Sequence, residues 1–166
     1  MATQVLQTLA IYRQEGNDGL IIEREPGEEA SMVWHEGAPL CYDISTDATG
    51  EIEEYAAGTD GVRIIGVAAS HASGTAGTDV SYYEANDLNL FEGSLINGTA
   101  AYTLLGTEVG VAYPLVQSTR DWYVDVGNTD NDDVVEVVGL LDAVGDVNPR
   151  VIVRFLGGKQ SKVLQS

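Results

Sequence analysis

The chain has 166 residues, of which 26 are acidic and only 8 are lysine or arginine, for a formal charge of −18. A field of that sign repels phosphate backbones and anionic bilayer surfaces, so neither nucleic acid nor membrane is expected as a partner. Leu, Ile, Val and Phe supply 44 residues, about 27 per cent and above the roughly 20 per cent where disorder sets in, so one folded domain is expected.

The opening MATQVLQTLAIYRQEGND has neither the charged start nor the continuous apolar run of a secretion signal. No run reaches the ~18 apolar residues of a membrane helix, and synthesis in the cytoplasm is expected. Residues 4–12, QVLQTLAIY, carry no charge and precede the polar break RQEGNDG. They suit two roles equally, an extended arm that grips a partner or the first core strand, and residues 1–18 are set apart on that account.

Residues 19–157 read as a single β domain. Short apolar runs bounded by turn residues follow one another: GLIIER (19–24), APLCYD (38–43), EIEEYA (51–56), VRIIGVA (62–68), VSYYEA (80–85), AAYTLL (100–105) and GVAYPLV (110–116). DWYVDV (121–126) alternates Trp122, Val124 and Val126 with polar neighbours, and RVIVRFL (150–156) puts Val151, Val153 and Phe155 on one face, the signature of half-buried strands. In VVEVVGLLDAV (134–144) the apolar residues also fit helical spacing, but four valines and an internal glycine favour a strand. Short strands about every ten residues, punctuated by 19 glycines, predict an all-β fold, a small barrel or a sandwich of antiparallel strands. Residues 158–166 read as a flexible tail, and GGKQS within reach of it lacks the spacing of a phosphate-binding loop.

A turn motif recurs before the β-branched runs, as GTDGV at 58–62, GTDV at 77–80, GTEV at 106–109 and NTDNDDV at 128–134. Gly and Asn tolerate positive φ, and Thr and Asp side chains hydrogen-bond the backbone groups that a turn leaves unpaired. The forms VRIIGVA and VEVVGLL also match, which hints at a duplicated hairpin. The acidic stretch DVGNTDNDD (125–133) suggests calcium, yet an EF-hand loop needs Gly at position 6 and Glu at position 12. Counted from Asn128 those places hold Asp133 and Gly139. A solvated hairpin end involving Asp130, Asp132 and Asp133 is the expected reading, with a calcium site shared between loops as the alternative. NGT at 97–99 matches a glycosylation acceptor and equally an Asn-Gly hairpin turn, which is preferred.

Catalytic chemistry has little to stand on. Cys41 is the single cysteine and is expected to be a buried thiol; no serine sits in a nucleophile elbow; His35 and His71 read as surface or rim imidazoles. With 26 acids, a pair at glycosidase spacing carries no information. No catalytic residue, metal or cofactor is assigned.

The order GAPLCYDISTDATGEIEEYAAGTDGVRIIGVAAS, residues 37–70, resembles the capsid decoration (cement) proteins of tailed bacteriophages. In these a Gly-x-Pro-hydrophobic strand opens a small β-barrel and an IIGVA-like strand follows; Gly37, Pro39, Leu40, Gly50, Ala57, Ile65, Gly66, Val67 and Ala68 occupy those places. From residue 79 onward the sequence departs from the pattern. The resemblance implies a non-enzymatic virion protein on the outer capsid surface, bound to the major capsid protein and commonly trimeric. If QVLQTLAIY is the gripping arm, Val5, Leu6, Leu9, Ile11 and Tyr12 are its expected contact residues. The alternative is a carbohydrate-binding or adhesion β-sandwich that stacks Trp34, Trp122 or surface tyrosines on sugar rings.

Overall fold

The computed structural model describes residues 1–13, 20–24, 27–43, 50–57, 63–128 and 133–157. The GTDGV turn, Asp130, Asp132 and the tail at 158–166 lie outside them. Every regular element among the described residues is a strand, as expected. The smaller sheet is fully antiparallel and built from β2 (Leu20–Glu23), β3 (Pro39–Tyr42), β4 (Ile52–Glu54), β5 (Ile64–Ala68) and β6 (Val80–Glu84), in the order β2-β6-β5-β3-β4. The larger sheet holds β1 (Ala10–Arg13), β7 (Leu90–Asn97), β8 (Ala100–Ala101), β9 (Ala112–Tyr113), β10 (Leu115–Ser118), β11 (Asp121–Asp125), β12 (Val135–Leu140) and β13 (Arg150–Phe155). Its main path runs β10-β11-β7-β13-β12-β9, with β1 and β8 paired to β7 off that path.

Two departures from the sequence expectation shape the larger sheet. GVAYPLV forms two strands, because Pro114 has no N–H to give a ladder and splits the run into β9 and β10. These two strands are the opposite ends of the sheet's path, yet one residue separates them along the chain. The sheet must therefore curl until its edges meet at Pro114, whose carbonyl accepts the Asp125 N–H while that of Tyr113 accepts the Val134 N–H. The second departure is a parallel pair, β11 with β7, in register at Val124 with Leu95, made possible by the long excursion through residues 98–120.

Both sheets close over one core. Leu40, Ile52, Ile64 and Val67 come from the smaller sheet, and Phe91, Leu95, Trp122, Val137, Val153 and Phe155 from the larger. The rings of Tyr55 and Trp122 meet at 5.6 Å between centroids, and Phe91 and Phe155 pack edge to face at 5.3 Å. Fully burying a side chain such as Phe91 contributes roughly 1.5–3 kcal/mol.

The likeness between VRIIGVA and VEVVGLL has a local cause. In β5 opposite β3 the register skips Ile65, and in β12 opposite β13 it skips Val138. Each is a bulge residue immediately before a glycine, and the extra residue in β12 shifts the alternation toward the helical spacing seen in the sequence. Gly66 is obligatory for another reason: a Cβ there would land on the Tyr83 carbonyl and the Tyr82 ring, whereas one on Gly139 would meet the Ile152 side chain, its Cδ1 nearest at 3.3 Å.

The two glycines should therefore respond differently. In urea unfolding, Gly66→Ala is expected to cost at least about 2 kcal/mol by overpacking, and Gly139→Ala to stay within about 1 kcal/mol of the parent. Equal losses at both positions would contradict this packing.

Candidate functional site

The N-terminal segment, the expected contact element, lies in a fork of the larger sheet. The lower half of β7 pairs with β1, Ala10 opposite Glu92 and Ile11 opposite Phe91, and its upper half pairs with β11. Residues 7–9 fill the gap between them. Gln7 donates its N–H to Ser94 Oγ at 2.9 Å and accepts the Ser94 N–H through its carbonyl; Leu9 donates to the Trp122 carbonyl; Thr8 Oγ1 accepts the Trp122 N–H at 3.1 Å. Leu9 is 1% exposed, its Cδ2 only 2.9 Å from where a Cβ on Gly93 would sit. Further out, Ala2 and Gln4 exchange backbone bonds with Val147, and Asp146 Oδ1 accepts the Ala2 N–H at 2.7 Å. That bond, aided by the Gln4 amide, holds the Asp146 carboxyl below its ordinary range.

The five expected contact residues thus separate. Leu9 belongs to the core, and in the free chain it is not available to a partner. Ile11 is half-buried against that core. Val5 is 82% exposed, Leu6 39% and Tyr12 45%. QVLQTLAIY is divided: Leu9 lies in the core and Ala10–Tyr12 in β1, while Val5 and Leu6 before them present apolar groups to solvent.

Beside this segment lies a polar cleft that the sequence did not reveal. Pairing Pro39 with Val67 in antiparallel register places the residues before β3 next to those after β5, so His35 and His71 meet edge to face at 4.8 Å. Buried Glu28 fixes the second loop by accepting the N–H groups of Ser73 and Gly74. From the other sheet, the tight β10–β11 hairpin extends Arg120, whose Nη1 lies 3.2 Å from His35 Nε2. Two grooves flank the imidazole pair. One, of about 290 Å³, runs between Thr8–Ile11 and Glu36–Gly37; the other, of about 540 Å³, is walled by Met32, Val33, Trp34, Ala72 and Arg120. The sequence held no signal for the meeting of the histidines, which the register of β3 with β5 brings about, and none for Arg120 beyond its place between two strand runs.

Other candidates resolve into structure. Asp125, the first acid of the calcium-like stretch, is buried and accepts the N–H groups of Gly98 and Gly127 at 2.8 and 2.9 Å, tying two turns together. Among the described residues no group of three His, Cys, Asp or Glu is arranged to hold a metal. Asn97 and Ala100 close the expected hairpin, with Gly98 at φ +61° in its loop. Both tryptophans are core residues: Trp122 Nε1 donates to Glu54 Oε1 at 2.8 Å and Trp34 Nε1 to the Ser70 carbonyl, so neither ring face is open to a sugar. Cys41 is buried, and burial together with neighbouring Glu53 pushes its thiol pKa well above the ordinary value. No protein-family model matches the chain, and no curated protein or solved structure does either.

Cys41 should accordingly stay silent until the core opens. A soluble aromatic disulfide reagent at pH 8 is expected to label it only at the rate of global unfolding, and quickly in urea. Native-state labelling as fast as that of a free cysteine would contradict its burial.

Proposed function

We propose that this chain is a non-enzymatic virion protein that binds the outer surface of an assembled tailed-phage capsid and stabilises it, as a decoration or cement protein. The observation that carries the reading is the N-terminal segment: Leu9 anchors it to the core, while Val5, Leu6 and Tyr12 stay exposed on a chain of charge −18. Apolar side chains held on an anchored segment form a contact surface for another protein, here the major capsid protein. The acidic field suits a position outside the shell, away from packaged DNA.

The resemblance over residues 37–70 supports the same reading. That stretch supplies β3, β4 and β5, which lie side by side as β4-β3-β5. Its Gly37, at φ +92°, leaves room for the N-terminal segment, since a Cβ there would sit 2.5 Å from the Leu9 carbonyl oxygen. The resembling stretch and the proposed contact segment thus touch at Gly37 and Leu9. A decoration protein needs no turnover. Each copy that touches two or more capsid subunits adds contacts that must break before the subunits part, and a trimer multiplies them by avidity. The sugar-binding alternative loses its two tryptophans to the core.

The test pairs two variants with expanded shells from the source phage. Val5→Asp with Leu6→Asp is expected to keep the parent melting temperature and lose at least about tenfold in shell affinity, roughly 1.4 kcal/mol. Leu9→Ala is expected to lose about 2–5 kcal/mol of stability. Unchanged shell binding by the double aspartate variant would overturn the segment's role. An intact protein that ignores the shell and binds a glycan array would replace the proposal with the sugar-binding reading.

A further inference from the structure

Arg24 pairs with Asp79, Arg150 with Asp142 and Arg154 with Glu136. Arg120 differs. On a chain with 26 acids its guanidinium meets an imidazole, 3.2 Å from His35 Nε2. Arginine has no acceptor, so in that contact His35 Nε2 must be the unprotonated ring nitrogen, with the proton on Nδ1. One of Arg120's five N–H groups is thereby used. The guanidinium retains donors beside the 540 Å³ groove, with His71 across the ring contact.

The backbone around this groove is strained. Three described residues other than glycine have positive φ, and two of them bear on the groove: Ser31 at 67°, in its wall, and Thr119 at 64°, immediately before Arg120. A β-branched residue in that region is a true outlier, and such strain concentrates where a side chain must be held for binding. Thr119 fixes the hairpin turn that points Arg120 toward His35.

The geometry points to a carboxylate-binding site, with Arg120 as the fork, the two imidazoles beside it and Met32, Val33 and Ala72 as an apolar wall for the group next to the carboxylate. A guanidinium pairs with a carboxylate through two parallel hydrogen bonds. The long-range field of a chain at −18 penalises every added negative charge on a ligand, so a single carboxylate is favoured over a phosphate. The ligand class is therefore an acidic group next to an aliphatic one, as an acidic, apolar peptide segment presents. This site is separate from the exposed Val5 and Leu6 and does not depend on the proposed capsid role.

The test is a titration of the full, isotope-labelled chain, followed by the ring resonances of His35 and His71. N-acetyl-leucine supplies the carboxylate and the aliphatic group; N-acetyl-leucinamide lacks the charge; inorganic phosphate has the charge without the apolar part. Saturable shifts with N-acetyl-leucine, none with the amide and weaker ones with phosphate are expected. Arg120→Gln should weaken binding at least about tenfold, and Arg120→Lys, which keeps the charge and loses the fork, by an intermediate factor. The spectrum away from the groove should not change in either variant. Absence of saturation, equal binding of the amide, phosphate binding as tight as that of N-acetyl-leucine, or parental affinity in Arg120→Gln would each overturn the assignment.

Discussion

The contact of Leu9 with the notch at Gly93 is the constraint on which the larger sheet depends. β7 serves four neighbours, β1 and β11 along one edge and β13 and β8 along the other. It cannot pair with β11 over its whole length, because the two diverge. The N-terminal segment fills the fork, bonded to Ser94 on one side and Trp122 on the other. A Cβ at position 93 would press on Leu9 Cδ2 at 2.9 Å, so the Leu9 side chain would have to shift within its notch. What holds the fold together here is also what presents the first residues of the chain outward.

The acidic composition has a second structural use. Several buried carboxylates do the work of missing backbone partners at loops. Glu28 accepts from Ser73 and Gly74, Asp125 from Gly98 and Gly127, and Glu108 from Leu105 and the Tyr102 hydroxyl. Burial alone would raise the Glu108 pKa, yet the hydrogen bonds from Tyr102 and from backbone N–H groups outweigh it and hold the carboxyl below its usual range. These bonds favour the ionised form of Glu108, and the stability it contributes is present above the ordinary carboxylate pKa and lost as pH falls through the lowered one. Asp142 behaves likewise, through three hydrogen bonds from Arg150 that brace the β12–β13 loop.

Fold class was readable because alternation was strong where one face alone is buried. β11 and β13 fall where Trp122, Val124, Val151 and Val153 announced them. β7 went unread although it is the longest strand, since Glu92, Gly93 and Ser94 interrupt the apolar pattern. Those small and polar residues are what close approach of the N-terminal segment demands. AAYTLL has the pattern of one strand, but only Ala100 and Ala101 pair with β7, and Thr103 bridges to Val147 instead. The cleft was illegible for a different reason: His35, His71 and Arg120 lie far apart in the chain, and the sheet register that joins them is a tertiary fact. In the same way, exposure divided QVLQTLAIY residue by residue, which a pattern of uncharged letters could not do.

Native-state hydrogen exchange at Leu9 tests the account most directly. Its N–H, bonded to the Trp122 carbonyl, is expected to exchange only through global unfolding, alongside the amides of β13, while the 82% exposed Val5 exchanges much faster. Should the Leu9 amide exchange as fast as that of Val5 while β13 stays protected, the segment does not fill the fork and the anchored contact surface does not exist.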